Sequence, residues 1–167
     1  EQLLSDNGLS GFSTGYSPFE ESGLACQLKV SLGFPPNISY EGTIGKYNNK
    51  YFLIDETGVV ASENTLEALI ANTNVKSKLQ KELNIVLAGT YSGTYSGGDN
   101  GTWNITINSN GSITGTTTSH NYGPFTVTGT LSGNTATLTA TSGATLTTTI
   151  SSAGVVNGTW TNSSAGI

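Results

Sequence analysis

Residues 125–150 read FTVTGTLSGNTATLTATSGATLTTTI. Within this stretch Phe125, Val127 and Leu131 stand opposite Thr126, Thr128 and Thr130. Ala136, Leu138 and Ala140 stand opposite Thr135, Thr137 and Thr139, and Ala144, Leu146 and Ile150 opposite Thr145, Thr147 and Thr149. A period of two, with one apolar and one hydroxylated face, is the pattern of antiparallel strands that have one side in water. The breaks SGN and SG are hairpin chemistry, because Gly and Asn accept the positive φ of a tight turn. Loops this short leave little but neighbour-to-neighbour pairing.

The same phrasing continues in both directions. Upstream, Ile85, Leu87, Tyr91 and Tyr95 share one parity, Trp103, Ile105 and Ile107 form a second run, and Ile113 follows in a third. Downstream, Val156 and Trp160 mark a seventh. Residues 84–167 are thus predicted to be an antiparallel up-and-down β-meander. Gly93, Gly115, Gly129 and Gly158 fall on the inward parity near mid-strand. Glycine suits such positions where a sheet bends sharply or a ring lies over the backbone. A strongly coiled sheet or barrel is therefore expected, not a flat layer. Tyr91, Tyr95, Trp103, Phe125 and Trp160 are the candidate ligand-binding residues, since barrels that hold small molecules line their cavities with such rings. The alternative role for these rings is core filling.

The first half reads differently, and the fold class as a whole is mainly β with a small α+β N-terminal part. Residues 1–23 lack a sustained period and read as an N-terminal arm or tail. Residues 24–83 read as a small antiparallel sheet plus a helix. Leu24, Cys26, Leu28, Val30, Leu32 and Phe34 alternate up to Pro35-Pro36; Ile38, Tyr40 and Ile44 mark a second strand and Tyr51–Ile54 a third. Asn48-Asn49 supplies the turn between the latter two, and Asp55–Gly58 another before Val59-Val60. Asn64 with Glu67 fits a capping box for a helix over about 64–83. Its apolar face is Leu66, Leu69 and Ile70, then, after an interruption at Asn72–Asn74, Val75, Leu79 and Leu83.

Charge changes abruptly near Asn84. Every lysine lies before residue 82 and ten of the eleven carboxylates before residue 83, leaving Asp99 alone beyond it. That step marks the boundary between the two halves. With a net charge of −5 and no arginine, the chain has no basic patch for nucleic acid or an anionic membrane surface. No apolar run approaches the ~20 residues of a membrane span. The sequence has no methionine, which fits a chain whose leader has been removed. Cys26 is the one cysteine, so no intramolecular disulfide forms, and its parity makes it a small buried hydrophobe.

Catalytic patterns do not assemble. Gly11–Gly15 (GFSTG) matches G-x-S-x-G, but the motif acts only on a tight strand-to-helix turn with an acid and a histidine downstream. The lone histidine, His120, lies in a hairpin loop with no carboxylate nearby in sequence. One His and one Cys do not make a zinc tetrahedron, and Asp99 alone makes a weak calcium cage. The adjacent pairs Glu20-Glu21 and Asp55-Glu56 point to opposite faces of an extended chain. No catalytic residue, metal or cofactor is inferred. Six Asn-x-Ser/Thr sequons, at Asn37, Asn100, Asn104, Asn110, Asn157 and Asn162, are little more than a Ser/Thr-rich chain gives by chance.

The phrases GTYSGTYSGG, GTWNITINSNGSITGT, FTVTGTLSG and NGTWTNSSAG resemble the Gly/Thr/Ser-rich β-modules of secreted and surface-anchored bacterial proteins. Gly101-Thr102-Trp103 is also similar to the Gly-x-Trp opening of avidin- and lipocalin-type barrels. The first resemblance implies an extracellular or cell-surface location and a non-catalytic structural role, such as a self-assembling fibre or surface-layer subunit. The second implies a small barrel binding an apolar or carbohydrate ligand. A hydrolase is the third reading. Self-association has a physical route, because closing an up-and-down barrel needs an even strand count and seven leaves an open edge. The strand Leu24–Phe34 or the arm Glu1–Gly23, from the same chain or a neighbour, could pair with that edge. The front half could instead cover it, or the natural chain could continue past Ile167.

Overall fold

The computed structural model describes residues 2–7, 12–16, 27–34, 37–151 and 154–162. The chain divides into two compact units, Glu1–Leu83 and Asn84–Ile167. The first unit begins with helix α1 (Gln2–Asp6) and strands β1 (Phe12–Tyr16), β2 (Gln27–Phe34), β3 (Asn37–Tyr47), β4 (Lys50–Asp55) and β5 (Gly58–Glu63). These strands form one sheet in sequence order, every neighbour antiparallel. Asn48 and Asn49 adopt φ of 46° and 59°, the left-handed pair that a two-residue hairpin requires. At the next turn Asp55 Oδ1 accepts the Thr57 backbone N–H at 2.8 Å.

Helices α2 (Leu66–Ala71) and α3 (Thr73–Leu87) follow. Leu69, Ile70, Val75, Leu79 and Leu83 are buried, as are Ile44 and Leu53 of the sheet. Lys78 ties α3 to the β4–β5 turn, its Nζ standing 3.5 Å from Asp55 Oδ2 and 3.5 Å from Glu82 Oε1. Burial opposes ionisation of Asp55, but hydrogen bonds from Thr57 and the Lys78 charge prevail and hold its pKa below the usual value.

The structure corrects the sequence reading at four places. Residues 1–23, expected as an arm, contribute α1 and β1, and β1 pairs with β2 from Phe12↔Leu32 to Tyr16↔Leu28. A short edge strand is held by its backbone ladder and shows no long side-chain period. The proposed donor Leu24–Phe34 is paired on both sides over its described part, by β1 and β3; residues 24–26, with Cys26, lie outside the described residues. The helix cap is Thr65, not Asn64: its Oγ1 accepts the Ala68 N–H at 3.1 Å. Finally, α3 runs on through Ile85 and Leu87, because Leu87 continues the Val75, Leu79, Leu83 spacing and is buried. The meander consequently starts at Gly89.

The second unit holds the last turn of α3 and seven strands: β6 (Gly89–Tyr95), β7 (Gly101–Ile107), β8 (Ser112–Ser119), β9 (Gly123–Ser132), β10 (Thr135–Ala140), β11 (Thr145–Ile150) and β12 (Val156–Thr161). They form an up-and-down meander in sequence order, curled into a half-barrel. Burial alternates along the strands as the threonine pattern demands, with Ile105, Ile107, Ile113, Val127, Leu138 and Ile150 inside. The curl is visible in the backbone. A Cβ on Gly129 would stand 2.1 Å from the Thr137 carbonyl oxygen, so only glycine lets β9 and β10 approach this closely. At one end of the half-barrel the last turn of α3 lies against the β7–β8 loop: the Asn84 amide packs at Gly111 and Tyr91 donates its hydroxyl hydrogen to the Leu87 carbonyl at 3.0 Å.

Candidate ligand-binding site: an aromatic cleft and cup

Six successive antiparallel pairings separate β6 from β12. Six is even, so the two outermost strands run parallel to one another. They share no ladder. Instead they face each other across a cleft of about 710 Å³ lined by consecutive residues of both, Thr90–Ser96 on one side and Gly154–Trp160 on the other. Lining by consecutive residues means that strand edges, not only inward faces, border the space. Its floor includes Ile105, Val127, Leu138 and Leu146.

Two tryptophans close part of this opening. The Trp103 ring lies over Gly93, where an added Cβ would meet it at 2.7 Å, and its Nε1 donates to the Thr94 carbonyl at 3.3 Å. Trp160 Nε1 donates across the cleft to the Ser96 carbonyl at 3.1 Å. In an antiparallel strand the N–H and C=O of one residue point to the same side, and alternate residues share that side. Thr94 and Ser96 thus place the backbone groups of Thr90 and Ser92 on the open edge of β6 as well. The indoles occupy the upper two carbonyls of that edge.

Beyond Trp160, at the end opposite the α3 turn, a second cavity of about 460 Å³ forms a cup. Tyr95, Tyr122, Phe125 and Trp160 line it together with Asp99, Thr117 and Leu146. Tyr95 and Trp160 meet edge to face, ring centroids 5.5 Å apart and planes at 76°. Asp99 is only 9% exposed. Its Oδ2 accepts the Tyr95 hydroxyl hydrogen at 2.9 Å and its Oδ1 the Asn121 amide at 3.1 Å. Burial pushes the Asp99 pKa up, yet hydrogen bonds from Ser119, Tyr95, the Asn100 backbone and Asn121 outweigh it and leave the carboxyl below its usual range. The Tyr95 phenol moves the other way, raised by burial and by its bond to Asp99.

All five residues singled out from the sequence therefore border these two spaces: Tyr91, Tyr95, Trp103 and Trp160 the cleft, and Tyr95, Phe125 and Trp160 the cup. Trp103 and Trp160 are half-buried walls, not sealed core. The sequence reading missed Asp99, Thr117, Asn121 and Tyr122. Its only signal for them was that Asp99 is the single carboxylate in an otherwise uncharged half. Ser13 lies mid-strand in β1, its Cα opposite Ser31, whereas a nucleophile elbow is a turn. His120 sits in the β8–β9 turn of the other unit. Among the described residues no group of three His, Cys, Asp or Glu side chains is placed to hold a metal, and no helix is long and apolar enough to cross a membrane. Comparison with protein-family models, curated proteins and solved structures finds no match for this chain.

Proposed function

We propose that this is a non-catalytic structural protein of the secreted or cell-surface class, and that it self-associates by inserting a strand of a second copy between β6 and β12. The observation that carries this reading is the parallel direction of the two facing edges. One extended segment placed between them runs antiparallel to both and completes two ladders at once, which gives strand addition twice the main-chain hydrogen bonds of a single edge. Thr90, Ser92, Asn157 and Thr159 along the cleft are uncharged, and charge is a usual device for blocking edges. The uncharged, Thr-rich strands of the same chain match such a slot. Donation from copy to copy is heterologous and gives a polymer unless the rotation closes a ring.

Light scattering over a concentration series tests this. The expected result is mass growing beyond the monomer. Ser92→Pro removes an N–H from the open side of β6 without touching the β6–β7 ladder, and proline is tolerated on an edge. It is expected to hold the protein at monomer mass with its unfolding midpoint little changed. A wild-type chain that stays monomeric at millimolar concentration contradicts the proposal.

A further inference from the structure

The cup has a property that strand insertion does not use. It contains the one carboxylate of the second unit, and the sequence holds no lysine or arginine after Lys81. Asp99 therefore has no lysine or arginine counter-charge from its own unit, although it is 9% exposed and lines the cavity. The surrounding walls are aromatic. Tyr95 and Trp160 stand at 76° to one another, which is how two sides of an aromatic cage are set, and Phe125 lines the same space. Tyr122, 71% exposed, stands at the mouth.

Each part favours the same ligand. Aromatic faces attract cations through the ring quadrupole, most strongly where water is excluded, and quaternary ammonium groups are the usual guests of such cages. A fixed carboxylate beside them adds a full charge at short range. Asp99 is also held in place: Tyr95, which forms one wall, donates to Oδ2, and Asn121, from the β8–β9 turn, donates to Oδ1. Wall and charge are thereby fixed to each other before any ligand arrives, which lowers the ordering cost of binding. The cup's 460 Å³ suits a small molecule.

We propose that this cup binds a small organic ammonium ion, its alkylated nitrogen enclosed by Tyr95, Phe125 and Trp160 beside the Asp99 carboxylate and covered by Tyr122. The site stands on the cup's own geometry and is independent of what fills the cleft between β6 and β12.

The test is calorimetric titration of the full chain with choline, and in parallel with its neutral carbon isostere, in which a tert-butyl group replaces the trimethylammonium group. Choline is expected to bind about tenfold more tightly or better. Asp99→Asn preserves the shape and is expected to remove that preference. Tyr122→Ala alters an exposed ring, does not threaten folding, and is expected to weaken choline several-fold while leaving the unfolding midpoint in place. Equal affinity for the two probes would reduce the cup to an apolar pocket and overturn the proposal. Absence of choline binding at millimolar concentration overturns it too, as does binding that neither substitution changes.

Discussion

Gly129 and Gly93 both sit mid-strand in the curled meander, yet they differ in what a side chain would strike. A Cβ on Gly129 meets the backbone of β10 at 2.1 Å, whereas one on Gly93 meets the Trp103 ring at 2.7 Å. A ring can swing aside, but a paired strand cannot. Gly129→Ala is therefore expected to cost ~1–3 kcal/mol in urea unfolding, as overpacking does, and Gly93→Ala less. Equal losses would mean that strand approach does not set the curl. The sequence announced these glycines by their inward parity. It did not announce Asp99, whose partners Tyr95 and Asn121 are 4 and 22 residues away and meet it only through the hairpins. Because the Asp99 pKa is lowered in the folded state, its contribution to stability is complete above the unfolded value and is lost as pH falls through the lowered one. From about pH 5 downward the Asp99→Asn melting curve is expected to depend less on pH than that of the wild type. Asp55, lowered as well, leaves a residual slope in both. Coincident slopes would show that Asp99 contributes nothing to acid stability.

Among the elements, strands were easier to read than the helix. Alternation and the small-residue turns between runs located all seven strands of the meander, with the first begun too early, at Ile85. The α2–α3 break at Asn72 was legible too: its Oδ1 accepts the Asn74 N–H at 2.9 Å, so it competes with the helix by capping the next one. The cap was misread because Asn64 and Thr65 are adjacent and equally suitable, and only geometry separates them. Thr65→Ala is expected to cost ~0.5–2 kcal/mol, with Asn64→Ala near neutral, when both are compared by chemical unfolding. The reverse order would restore the capping-box reading. The helix end was misread because Ile85 and Leu87 satisfy a period of two with Tyr91 and Tyr95, while Leu87 alone also continues the Val75, Leu79, Leu83 spacing of four. Ile85 is exposed and Leu87 buried, as the helical spacing requires.

At the scale of the molecule, strand number was legible and closure was not. Counting runs gives seven, and an odd count makes the outer strands parallel, but how far the sheet curls depends on backbone contacts that no single run displays. We propose that β6 and β12 border an open slot that takes a strand, and residue-resolved amide hydrogen exchange reads the state of both edges. In dilute protein, the N–H groups of Thr90 and Ser92 on the open side of β6 are expected to exchange far faster than those in the middle of β8 and β9, and to become protected as concentration rises. Edge amides protected as strongly as the central ones in dilute monomer, or exchange indifferent to concentration, would contradict the account.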